Sequence, residues 1–84
     1  MFRIADKYQI RLWLDEALKL GATHLIVVVN KYWDDFPVYV MPGEDTREVA
    51  ARYDGIDRQR IMEVYSLAMD LEAQLDEFRA FHWD

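Results

Sequence analysis

The apolar positions of this chain change their spacing as it proceeds, and each change marks an element. Over residues 7–20, Ile10, Trp13, Leu14, Ala17 and Leu18 recur three and four residues apart, a single stripe that predicts an amphipathic helix. Asp6 precedes it as an N-cap with Gln9 at capping-box spacing, Lys19 suits the last turn, and Gly21 predicts a left-handed stop. The next stretch, 23–30, is apolar on both sides of a strand. Leu25, Val27 and Val29 alternate with His24, Ile26, Val28 and Asn30, which predicts burial of both faces. Over 37–41, Val38 and Val40 alternate with Tyr39 and Met41, and Pro37 assigns this strand to an edge or to its own first residue. Together these runs predict a β-hairpin over 24–41, joined by a polar and aromatic connector at 31–36.

Helical spacing then returns. Pro42 and Gly43 turn the chain, and Asp45 with Glu48 caps a short helix over 46–53 whose stripe is Val49, Ala50 and Tyr53. Asp54-Gly55 stops it. From 58 to 81, Ile61, Val64, Ala68, Leu71, Leu75 and Phe78 follow a heptad-like spacing, widened by Met62, Tyr65 and Met69. Capped by Asp57, this predicts one helix roughly 35 Å long. Its acids Glu63, Asp70, Glu72, Asp76 and Glu77 fall on the other faces. The fold class is therefore α+β, a single domain over 1–84 in the order α-β-β-α-α. Two strands alone are marginal in water. Either Phe2 and Ile4 supply a third from an N-terminal arm, or a second copy continues the sheet.

Size strengthens the case for a second copy. Eighty-four residues bury only about 60 % of their unfolded surface. There is no cysteine, so neither a disulfide nor a thiolate metal site supplements that core. Three Trp, five Tyr and four Phe are more aromatic surface than a core this small hides. The far end of the long helix, with Phe78, Phe81 and Trp83, is expected to pack on another copy, giving a dimer or higher oligomer. Absence of a signal-type N-terminus and of a long apolar run points to a cytoplasmic protein with no membrane partner. The net charge of −6 is concentrated in 61–84, which hold six acids and one arginine. That excludes broad nucleic-acid binding through a basic surface.

No catalytic constellation emerges. Ser66, the single serine, falls within the long helix; Thr23 and Thr46 read as a strand entry and a first helical turn. His24 and His82 are far apart, Glu77 and His82 are five apart, and Asp34-Asp35 point opposite ways on extended chain, so no metal site and no cofactor is implied. Arg47, Arg52, Arg58 and Arg60 cluster about the turn YDGIDRQR. Arginine suits bidentate contacts to phosphate, and helix N-termini flank the segment. Tyr39 and Tyr53, with Tyr32 and Trp33, are candidates to stack on a base. The interleaved Asp45, Glu48, Asp54 and Asp57 offer the plainer explanation of surface pairing. In the connector, Tyr32, Trp33, Asp34 and Asp35 have the composition of a protein-contact loop, unless Trp33 folds back over the hairpin.

The segments GATHLIVVVN, YWDDF, PVYVMPGEDTREVAARYDG and, more loosely, IMEVYSLAMDLEAQL together resemble small phage and bacterial proteins that carry a GATHLIVVV…YWDDFPVYVMPGED segment. The resemblance runs from about Leu14 to Tyr65 and brings no established activity. It implies a phage counter-defence setting, in which a small protein blocks a host defence protein or sequesters a signalling nucleotide. The expected function is thus a non-enzymatic, homo-oligomeric binding protein. The alternatives are an acidic nucleic-acid mimic using the C-terminal helix and a small enzyme without a known motif.

Overall fold

A computed structural model describes residues 6–30, 35–56 and 58–84. The elements run α1 (Lys7–Leu20), β1 (His24–Asn30), β2 (Phe36–Val40), α2 (Thr46–Ala51), β3 (Gln59–Ser66) and α3 (Leu71–Leu75). The class is α+β, as the spacing predicts, but the order is α-β-β-α-β-α.

The first half follows the sequence reading closely. Asp6 caps α1, its carboxylate accepting the Gln9 N–H at 2.8 Å. Gly21 takes the left-handed conformation at φ 77° and closes the helix, with Ala22 N–H reaching the Ala17 carbonyl at 2.9 Å. β1 and β2 pair antiparallel, Ile26 opposite Val38 and Val28 opposite Phe36. Both faces of β1 are buried. On one, Leu25, Val27 and Val29 pack with Ile10 and Leu14 of α1, Tyr65, and Leu75 of α3. On the other, Ile26 and Val28 pack with Val40, Val64, and Val49 and Ala50 of α2.

The long C-terminal helix does not form. Residues 59–66 are instead the third strand, antiparallel to β1 on the edge opposite β2, so the sheet order is β2-β1-β3. A short apolar run fits helical and strand spacing alike. Here the unpaired edge of a strand apolar on both faces decides between them, because it offers a backbone ladder and two buried surfaces at once. Leu25 lies opposite Tyr65, Ile26 opposite Val64 and Val28 opposite Ile61, with the register shifting at Val27/Val28. Met62 is the extra residue of that bulge. Asp70, expected on an exposed helix face, is an N-cap: its carboxylate accepts the Glu72 and Ala73 N–H groups at 3.0 and 3.3 Å and starts α3. The third strand of the described sheet therefore comes from residues 59–66 of the same chain; the N-terminal arm lies outside the described residues. β1 is thus paired on both edges within one chain, and β2 remains an edge strand.

The β3 edge is closed against further pairing, while the β2 edge is left as a poorer template. On β3, Val64 N–H donates to the Ala80 carbonyl at 2.8 Å and the Val64 carbonyl accepts His82 N–H at 2.9 Å, a parallel bridge to Phe81. Two residues on, Gln74 takes over. Its Oε1 accepts Ser66 N–H at 2.8 Å and its Nε2 donates to the Ser66 carbonyl at 2.9 Å. One side-chain amide thus serves as a strand. These bonds turn Val64 and Ser66 outward, so alternation turns Tyr65 and Glu63 toward β1. One strand further, it turns Pro37 and Tyr39 away from β1. Pro37 consequently loses no ladder bond, and an incoming strand would meet one donor fewer.

Gln74 gives the sharpest test of this architecture. It is 1 % exposed, and Gln74→Leu strands a buried N–H and a buried carbonyl. The loss should be about 2 to 4 kcal/mol in urea denaturation. On a solvent face of a long helix the same change would cost under about 0.5 kcal/mol, and a value that small would refute the strand assignment.

Candidate functional site

The arginine segment is split by the fold. Arg47 lies in the first turn of α2, Arg52 is its C-cap, Arg58 sits in the following turn at φ 63°, and Arg60 is on β3 opposite Val29. Gly55 N–H bonds the Gln59 carbonyl at 2.8 Å and closes that turn. Asp54 accepts Ile61 N–H at 3.4 Å, so this acid braces the strand entry. Asp57 lies outside the described residues. The expected flanking helix N-terminus at Arg58 is absent, because the chain enters a strand there.

The two tyrosines expected to stack on one base are on opposite sides of the sheet. Tyr53 meets Phe36 edge-on, centroids 6.0 Å apart, beside Val49 and Ala50. Tyr39 packs on the α1 side, where burial and then the Glu16 charge hold its hydroxyl proton more firmly than in an ordinary tyrosine. No single site gathers both. A different pair forms instead. The Arg47 guanidinium lies 4.6 Å over the Trp83 ring, and Trp83 packs on the α2-side core. Trp83 is therefore half-buried and engaged within the fold.

The remaining candidates fall as follows. Tyr32, Trp33 and Asp34 lie outside the described residues, and Asp35 is half-buried at the head of β2. Phe78 and Phe81 stay exposed, at 95 % and 44 %. Ser66 is buried on β3, and its hydroxyl accepts Ala68 N–H at 3.4 Å. Thr23 Oγ1 donates to the Val40 carbonyl at 3.2 Å, and Thr23 and Thr46 hydroxyls both lie 3.0 Å from His24 Nδ1. His82 Nε2 reaches Glu77 at 2.5 Å, a contact that five-residue spacing on a helix forbids but an unwound tail allows. Among the described residues no three His, Cys, Asp or Glu groups are placed to hold a metal. No helix among them is long and apolar enough to cross a membrane.

The densest polar cluster is one that sequence reasoning missed. Glu63, 4 % exposed, sits on the α1 side of β3. Its carboxylate accepts three donors: Tyr65 Oη–H at 2.9 Å, Lys7 Nζ at 3.1 Å and Ala80 N–H at 3.1 Å. Lys7 Nζ also donates to Tyr65 Oη at 3.0 Å. Burial, the Glu63 bond and charge, and the Glu77 charge all push the Tyr65 hydroxyl well above the usual tyrosine range. The cluster holds a proton firmly on Tyr65 and ties α1, β3 and the C-terminal segment to one carboxylate. Its atoms satisfy one another, which suits a clamp better than an acid–base pair. The one sequence signal is the alternation of Glu63 with Tyr65, visible only once 59–66 is read as a strand.

Comparison with known protein families, curated proteins and solved structures gives no match for this chain.

The tyrosines predict the alkaline limb of stability. An unfolded tyrosine ionises near about pH 10, whereas folded Tyr65 and Tyr39 keep their protons. Their contribution is complete below that value and is lost as pH rises beyond it. Denaturation midpoints should fall between about pH 8 and about pH 11, and Tyr65→Phe should flatten most of that fall. A variant that declines as steeply as the parent would remove Tyr65 from this role.

Proposed function

We propose that this chain is a non-enzymatic binding protein that works by polypeptide contact through its C-terminal segment, residues 78–83. The observation that carries the reading is Phe78, 95 % exposed on a backbone fixed at both ends. Glu77 N–H bonds the Gln74 carbonyl at 3.1 Å on one side, and Ala80 is fully buried and bonded to Glu63 on the other. A loose tail can fold an aromatic ring back on the chain; an anchored one holds it out. Scattered exposed apolar residues are ordinary, but a large ring on a pinned segment is a ready contact anchor.

The partner in this reading is a second copy of the chain, and in a phage or bacterial cytoplasm a host protein also fits. A nucleotide-like anion has narrower support, since Arg47 stacks on Trp83 while Tyr39 and Tyr53 lie on opposite faces of the sheet. The acidic-mimic reading has lost its continuous face. Asp70 caps α3, Glu72 pairs with Arg11, and Glu77 pairs with His82.

Phe78→Ser tests the proposal. Its ring touches little of the fold, so the melting temperature should hold while self-association, or capture of a host protein, weakens by about tenfold or more. Association equal to that of the parent, measured by light scattering and pull-down, would sink the reading.

A further inference from the structure

We propose that two copies of this chain exchange their C-terminal segments, each copy's residues 80–83 lying along the β3 edge of the other. The proposal rests on the binding reading above and names its partner and its geometry.

The receiving site is already built. Val64 offers both backbone groups, at 2.8 and 2.9 Å to Ala80 and His82, and the buried Glu63 carboxylate receives Ala80 N–H at 3.1 Å. Ala80 fills the α1-side core, and Trp83 closes the α2-side core beneath Arg47. Every one of these contacts belongs to residues 80–83, and each would be unchanged if the segment arrived from a second copy. The Glu77–His82 side-chain contact would then join the two chains.

The hinge is short. The last bond closing α3 is made by Glu77 N–H, and the first bond of the tail by Ala80 N–H. Between them lie Phe78 and Arg79, both exposed. Two exposed residues form a compact hinge, and exchange reuses an existing interface at low cost. It also accounts for Phe78. In the closed chain the ring has no apolar cover; when two hinges cross at a twofold axis, each ring rests against the other copy. Pairing through the sheet edges is disfavoured, because β3 is already bridged and β2 presents Pro37 outward.

The absence of cysteine allows a direct test. Val64 and Phe81 face each other across the tail bridge, a spacing that a disulfide can span. Val64→Cys and Phe81→Cys single variants, unfolded together, refolded at high concentration and oxidised, should yield a covalent dimer containing one of each, identified by mass. The double variant should give a dimer joined twice. A double variant that closes its disulfide within one chain, in a sample that light scattering shows to be dimeric, overturns exchange and leaves surface contact through Phe78 standing. A sample that is monomeric at every concentration overturns both. Because Val64 lies in the core, a second variant leaves the core intact: two glycines inserted after Phe78 let each tail reach its own sheet without constraint. Loss of the dimer is expected, and a dimer that persists unchanged overturns the exchange.

Discussion

A strand that is apolar on both faces must be covered twice and paired twice, and β1 is such a strand. Its residues from Leu25 to Val29 present no face to water. Each backbone group left unpaired in that setting would carry a desolvation penalty, so both edges need strands and both faces need helices or tail. The rest of the molecule can be read as the answer to that demand. β2 takes one edge, β3 the other; α1 and α3 cover one face, α2 and Trp83 the opposite one. The bulge at Met62 adds a consequence of its own. It puts Met62 and Glu63 on the same side of β3, so the carboxylate lands beneath α1 where Lys7 can meet it.

Closing the outer edges then becomes the second problem. On β3 it is solved by two unlike devices in sequence, the Gln74 amide at Ser66 and the tail backbone at Val64. On β2 the outward position of Pro37 makes the edge a poor template. A small sheet with both edges managed is poorly suited to open-ended stacking. It concentrates any association on the segment that does the closing, which is also where the exposed ring of Phe78 sits.

Glu63 connects these two problems. It is a buried charge that accepts donors from helix, strand and tail at once, so the seat of the tail is set by the same carboxylate that fixes α1 on the sheet. A buried ion pair is weak evidence of stability in itself. Here its value is positional. The carboxylate fixes where Ala80 lies, and hence where the hinge and its aromatic ring are displayed.

How much of this was legible follows from the range of the interactions. The sequence by itself determined α1 from cap to stop and the β1–β2 hairpin with its doubly buried strand, because caps, glycine stops and alternation act within a few residues; it also placed the start of α2, although the Asp45 side chain makes no cap bond there. It grouped Phe78, Phe81 and Trp83 as interface aromatics, of which Phe78 and Phe81 are exposed and Trp83 packs on the α2-side core. Only the tertiary structure decided that 59–66 pairs with β1 instead of winding into a helix, because Ile61, Val64 and Tyr65 satisfy either spacing until a strand with an empty edge is beside them. From that single choice follow the Asp70 cap, the Gln74 clamp, the Glu63 cluster, the separation of Tyr39 from Tyr53, and the tail laid along β3. Each depends on residues distant in the chain, whose contacts local spacing cannot carry.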